Sequence, residues 1–132
     1  ILFQLGTQSF ANANLEQALQ YLNQSIAIGQ YNRQTKADAY YWCGESYYRL
    51  NRMMEAARDF NAYLQLTTQP NNEMYALANY NLGYIAFHRK DYTQASNYFQ
   101  KYIQLEKGEN RTALADAYNR IGDCHLNVRN FE

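Results

Sequence analysis

Residues 40–48 read Tyr40-Tyr41-Trp42-Cys43-Gly44-Glu45-Ser46-Tyr47-Tyr48, and the glycine at their centre opens the reading of the whole chain. Twelve residues after Gly44 stands Ala56, four further on Phe60, and three beyond that Tyr63. The same intervals start from Gly83, giving Ala95, Phe99 and Tyr102, and from Gly6, giving Ala18, Leu22 and Ser25. A fourth apolar–glycine pair, Ile121-Gly122, extends the series, so the glycines are spaced by 38, 39 and 39 residues. Nine residues after each glycine comes Leu15, Met53, Tyr92 or Phe131.

Small residues at fixed positions allow two helices to approach closely, and large residues three and four apart build one apolar stripe of a helix. Each unit therefore reads as two antiparallel helices, a first (A) carrying the glycine and a second (B) carrying the alanine. The pattern predicts helices over 1–11, 15–28, 35–50, 53–66, 72–89, 92–106 and 110–128. Asn14 with Gln17, and Asp91 with Gln94, have capping-box spacing at two B-helix starts. The Thr67-Thr68-Gln69-Pro70-Asn71-Asn72 stretch breaks the chain between units. Lys107-Gly108-Glu109-Asn110 does so again, with Gly108 expected as a helix terminator.

The pattern resembles the tetratricopeptide repeat across essentially the whole chain. That family repeats W-x-x-L-G-x-x-Y…A…F in a unit of about 34 residues. Trp42, Gly44, Tyr47, Ala56 and Phe60 carry the best match, and Leu82, Gly83, Tyr92, Ala95 and Phe99 the next. The unit here is longer by four or five residues, placed between B and the following A helix. Ser9, Ala86 and His125 stand where the family has Tyr.

The resemblance implies an all-α, right-handed superhelical stack of helical hairpins, with about 3.5 repeats and seven helices. It forms one repeat domain over 1–132, divided near 1–33, 34–70, 71–109 and a truncated 110–132. We expect an excerpt of a longer repeat protein, because residues 130–132 stand where a further B helix should begin. Ala113, Leu114, Ala117, Tyr118, Ile121 and Leu126 then form an apolar set with no complete partner. The terminal helix 110–128 is accordingly a candidate surface for self-association. The longer period and the tyrosine-rich 40–48 stretch look most like repeats of bacterial envelope proteins, such as the Tol–Pal-associated coordinator and the barrel-assembly lipoprotein. That points to the bacterial periplasm or envelope, with the cytoplasm as the alternative.

Composition narrows the function. Twelve Lys plus Arg balance twelve Asp plus Glu, so no basic field is available to neutralise phosphates, which argues against a nucleic-acid partner. No apolar run approaches the ~20 residues of a membrane span. Cys43 and Cys124 lack any metal or redox spacing. His125 occupies the register of Tyr47 and is expected to face the core. Glu16, Glu55, Asp59 and Glu106 read as solvated charges. No nucleophile–base pair, metal set or cofactor motif emerges, so the chain reads as a non-catalytic protein with no cofactor.

In the family, A helices line a concave surface. Carried onto this chain, offsets −3, +1, +4 and +5 from glycine give Tyr41, Glu45, Tyr48 and Arg49, then Tyr80, Tyr84, Phe87 and His88. Asn119 and Asp123 follow from the last A helix, and Phe3, Thr7 and Phe10 from the first. Aromatic residues in such a hollow anchor partner segments. Tyr41, Tyr80 and Tyr84 are expected to face it. A chaperone-tail clamp is disfavoured, because its positions fall on Tyr41, Glu45, Asn81, Asp116 and Arg120, and two carboxylates would repel a carboxylate ligand. The expected function is a scaffold that binds a protein or peptide segment. The alternatives are a spacer or self-association module, or an accessory domain of a larger protein whose activity lies elsewhere.

Overall fold

The computed structural model describes residues 1–29, 32–70, 72–106, 108 and 110–130. Among them seven helices follow in order: α1 (Leu2–Ala11), α2 (Leu15–Ile28), α3 (Arg33–Arg49), α4 (Met53–Leu66), α5 (Glu73–His88), α6 (Tyr92–Leu105) and α7 (Arg111–Asn130). No strand occurs among the described residues. The chain divides into two compact units, Ile1–Pro70 and Asn71–Glu132, at the second of the three expected repeat boundaries.

In the first unit α1 pairs with α2 and α3 with α4, while α2 also lies against α3. In the second, α5 pairs with α6, and α6 lies against α7. The predicted glycine seats are real. A Cβ built on Gly44 would fall 2.8 Å from the Phe60 ring, and one on Gly83 2.8 Å from Phe99. One on Gly6 would lie 2.6 Å from Leu22. Leu22, Phe60 and Phe99 are all 0% exposed. Burying each contributes roughly 1.5–3 kcal/mol.

Each A-to-B turn is built identically. Ala13, Asn51 and Lys90 adopt left-handed φ values of 63°, 62° and 63°. The next residue's N–H then reaches back to close the helix end: Asn14 to Ser9, Arg52 to Tyr47, and Asp91 to Ala86, at 2.8–2.9 Å. This double-bonded termination is the Schellman motif. Asn14 and Asp91 cap α2 and α6 as the spacing predicts. Asn32, Asn72 and Asn110 cap α3, α5 and α7 through the same three-residue step, bonding Thr35, Tyr75 and Ala113.

Gly108 does not terminate α6. The helix ends at Leu105, Glu106 leaves it in extended geometry, and Gly108 takes φ 85° in the connection. The end of α4 is closed from outside: Arg33 donates to the Leu66 and Gln65 carbonyls, while the Gln34 side-chain oxygen accepts from Thr67 and Thr68.

His125 is exposed rather than core-facing. Asp59, read as solvated, is 2% exposed, bound through one oxygen to Arg58 at 3.0 Å. Its second oxygen is buried without a hydrogen-bond partner. Burial drives its pKa up, against the pull of Arg58.

Candidate functional site

The A-helix face of the second unit brings together residues of α5 and α7. Tyr80 and Tyr84 sit one helical turn apart, so their rings leave α5 in the same direction. Their centroids are 5.2 Å apart in edge contact. Below them the rings meet α6: Tyr80 touches Phe99 and Tyr102, and Tyr84 touches Phe99. Above, both hydroxyls donate to one carboxylate oxygen of Asp116, Tyr80 at 2.6 Å. Both tyrosines are only half-buried.

Asp116 starts a charged row on α7. Arg120 bonds Asp123 at 3.2 Å and lies 3.9 Å from Asp116, while its guanidinium stands 5.8 Å from the Phe87 ring centre. Burial alone would raise the Asp116 pKa. The tyrosine donors and Arg120 outweigh it and hold the carboxyl below the usual carboxylate value. Burial, then Asp116, pushes Tyr84 up to about 12; the same causes raise Tyr80 further. Asp116 thus holds both hydroxyls as hydrogen-bond donors. His88 is exposed beside Tyr84 and Phe87, and Asn119 is exposed on α7.

The corresponding face of the first unit differs. Tyr41, expected in the hollow, is 3% exposed. Its ring is enclosed by Trp42, Phe60 and Tyr63, and its hydroxyl donates to Glu45 at 3.1 Å. Tyr41 therefore supports the α3–α4 pair rather than a surface. Glu45 and Tyr48 are half-buried, and Arg49 is exposed with its guanidinium 4.5 Å from the Phe10 ring centre. Asp116, set aside at the sequence level because its carboxylate would repel a clamp ligand, turns out with Arg120 to organise the second unit's face. Their signal was readable: Asp116 lies one turn before Arg120, itself three before Asp123, a ladder of alternating charge on one helical face.

Among the described residues no group of three His, Cys, Asp or Glu side chains is placed to hold a metal ion. Cys43 and Cys124 are both buried free thiols. Burial pushes both thiol pKa values up, so neither is a ready nucleophile. Among the described residues no helix is long and apolar enough to cross a membrane.

The family model of the tetratricopeptide repeat matches residues 76–108, which run from the first turn of α5 through α6. No curated protein matches the sequence. Among solved structures, the crystal structure of MamA protein is similar with a TM-score of 0.72 at 22% identity, over 98% of this chain and 67% of that one. At that identity the likeness speaks for the fold alone. Residues 76–108 are thus a tetratricopeptide repeat, and the chain around them has the all-α fold of the tetratricopeptide-repeat proteins.

Proposed function

We propose that the chain is a protein-interaction scaffold whose A-helix faces receive a segment of a partner protein. The face of α5 and α7 carries most of the recognition. The supporting observation is the pair of half-buried tyrosines held upright by Asp116. Rigid aromatics with a polar tip give large contact area at low ordering cost. Phe87, His88, Asn119 and Asp123 extend this face, and Glu45, Tyr48 and Arg49 form its counterpart on α3. Because Arg120 is already neutralised by Asp116 and Asp123, it offers little attraction to a C-terminal carboxylate, and the face suits an internal segment better.

Photocrosslinking tests this. A benzophenone side chain at His88 or Asn119, both exposed on the A face, should capture a discrete protein partner. The same probe at Asn61 or Gln100, exposed on B helices, should not. Capture confined to the B-helix positions would reverse the assignment.

A further inference from the structure

The chain is neutral as a whole, yet its A helices carry carboxylates at a repeated register. Asp38 and Glu45 of α3 stand six residues before and one after Gly44; Asp116 and Asp123 of α7 stand at the same offsets from Gly122. All four are half-buried. Each pair is separated by seven helical residues, about 10 Å along the axis. α1 has no charged side chain, and α5 none between Glu73 and His88. The cations of these helices leave the pairs in excess. Arg120 lies 3.9 Å from Asp116 and 3.2 Å from Asp123, so two carboxylates share one guanidinium. Arg33 bonds the Leu66 and Gln65 carbonyls at the end of α4, and Arg111 shares its register. Lys36 holds the register of Leu114, which packs into the core of the second unit, and Arg49 lies over the Phe10 ring. Asp38 also lacks what steadies Asp116. Where α5 offers the Tyr80 and Tyr84 hydroxyls, α1 has Phe3 and Thr7, and Thr7 donates to the Gln4 carbonyl. One oxygen of Asp38 accepts from Gln34 at 2.7 Å, and burial still pushes its pKa up.

Taking the A faces as the partner surface of the scaffold, we propose that the segment they select is basic, with lysine or arginine side chains laid beside the Asp116–Asp123 pair of the second unit and the Asp38–Glu45 pair of the first. Charge complementarity names the occupant: each pair needs a cation that its own helix does not supply in full, and an acidic segment would be repelled. On the second unit the rings of Tyr80, Tyr84 and Phe87 flank the carboxylates, and aromatic faces favour both a guanidinium and the alkyl stem that carries it. In an extended segment, residues three apart are about 10 Å apart, the separation within each pair.

The test follows the amide NMR spectrum of the chain during titration with two capped peptides, acetyl-Arg-Ala-Ala-Arg-amide and acetyl-Glu-Ala-Ala-Glu-amide. Saturable shifts are expected with the arginine peptide only, centred on Asp116 to Asp123 and on Asp38 to Glu45, and fading as salt is added. Asp123→Asn should weaken the α7 site, and Glu45→Gln the α3 site, about threefold. Arg120→Gln should tighten the α7 site by a similar factor, a gain that damage to the fold would not produce. Asp59→Asn, which removes a carboxylate from α4 instead, should change neither site. Equal response to the two peptides, shifts confined to B helices, absence of saturable shifts, or indifference to Asp123→Asn, Glu45→Gln and Arg120→Gln overturns the proposal. Crosslinking from His88 or Asn119 reads the partner surface separately: capture there without arginine-peptide binding keeps the A face as that surface and removes its preference for a basic segment.

Discussion

One missing methyl group decides how closely α3 and α4 approach. The Gly44 seat leaves no room for a Cβ beside a ring that is itself enclosed, so Gly44→Ala sets a close clash against the gain in helix propensity. The clash dominates, because the aromatic ring cannot fold aside, and we expect a loss of roughly 1–3 kcal/mol in chemical denaturation. Gly122→Ala meets nothing and should gain up to about 1 kcal/mol, so the two variants move in opposite directions. Asp59 is the opposite error of burial. Its position corresponds to Tyr21 and Tyr98 in the neighbouring repeats, so the carboxyl occupies a place built for a partly apolar side chain. With one oxygen unpartnered among the described residues and its ion-pair partner, Arg58, exposed, the charge costs more than the pair returns. Asp59→Asn should raise the melting temperature at neutral pH by several degrees, on the order of 1 kcal/mol. A lower melting temperature would show that the Arg58 pair outweighs the buried charge.

At the scale of the element, the A-to-B turns are the most repetitive feature. Three non-glycine residues hold left-handed φ so that the reverse hydrogen bonds can form. Such a conformation costs an ordinary L-residue roughly 1–2 kcal/mol, and Asn tolerates it best. Lys90→Gly and Ala13→Gly should therefore stabilise by about 0.5–1 kcal/mol after the entropy of glycine in the unfolded chain is subtracted. Asn51→Gly should gain less. Melting curves of the three single variants check this ranking. The helix starts are equally regular, with an asparagine or aspartate side chain bonding the N–H three residues on at α2, α3, α5, α6 and α7.

At the scale of the whole molecule, titration should act through the tyrosines. Burial, then Asp116 for Tyr84 and Glu106 for Tyr102, pushes both up to about 12 from an ordinary value of 10. The sign follows from the proton: a group whose folded pKa is raised favours the folded state while protonated. That stability is complete below pH 10 and is lost as the pH rises to 12. Asp116 acts in the other direction. Its lowered pKa contributes stability above the ordinary value of 3.8, lost as the pH falls through the folded value. Helical circular dichroism should therefore fall steeply between pH 10 and 12, and Tyr84→Phe should make that fall shallower. An alkaline transition unmoved by Tyr84→Phe would detach Tyr84 from it.

The sequence by itself determined the helices, their pairing and the seats between them. Close approach needs the absence of a side chain, and absence at a fixed period is visible in letters: Gly6, Gly44 and Gly83 each announce the residue sixteen positions on. Asn14 and Asp91 were legible as caps for the same local reason. Asn32, Asn72 and Asn110 were not singled out, because asparagine in a connection reads equally well as a turn. Only the tertiary structure decided depth. Tyr41 and Tyr80 share one register, yet Tyr41 is enclosed by Trp42 and Tyr63, while Tyr80 reaches Asp116 on a following helix. Register fixes the direction in which a side chain leaves its helix; what it meets there depends on neighbours far along the chain, and no local pattern records them.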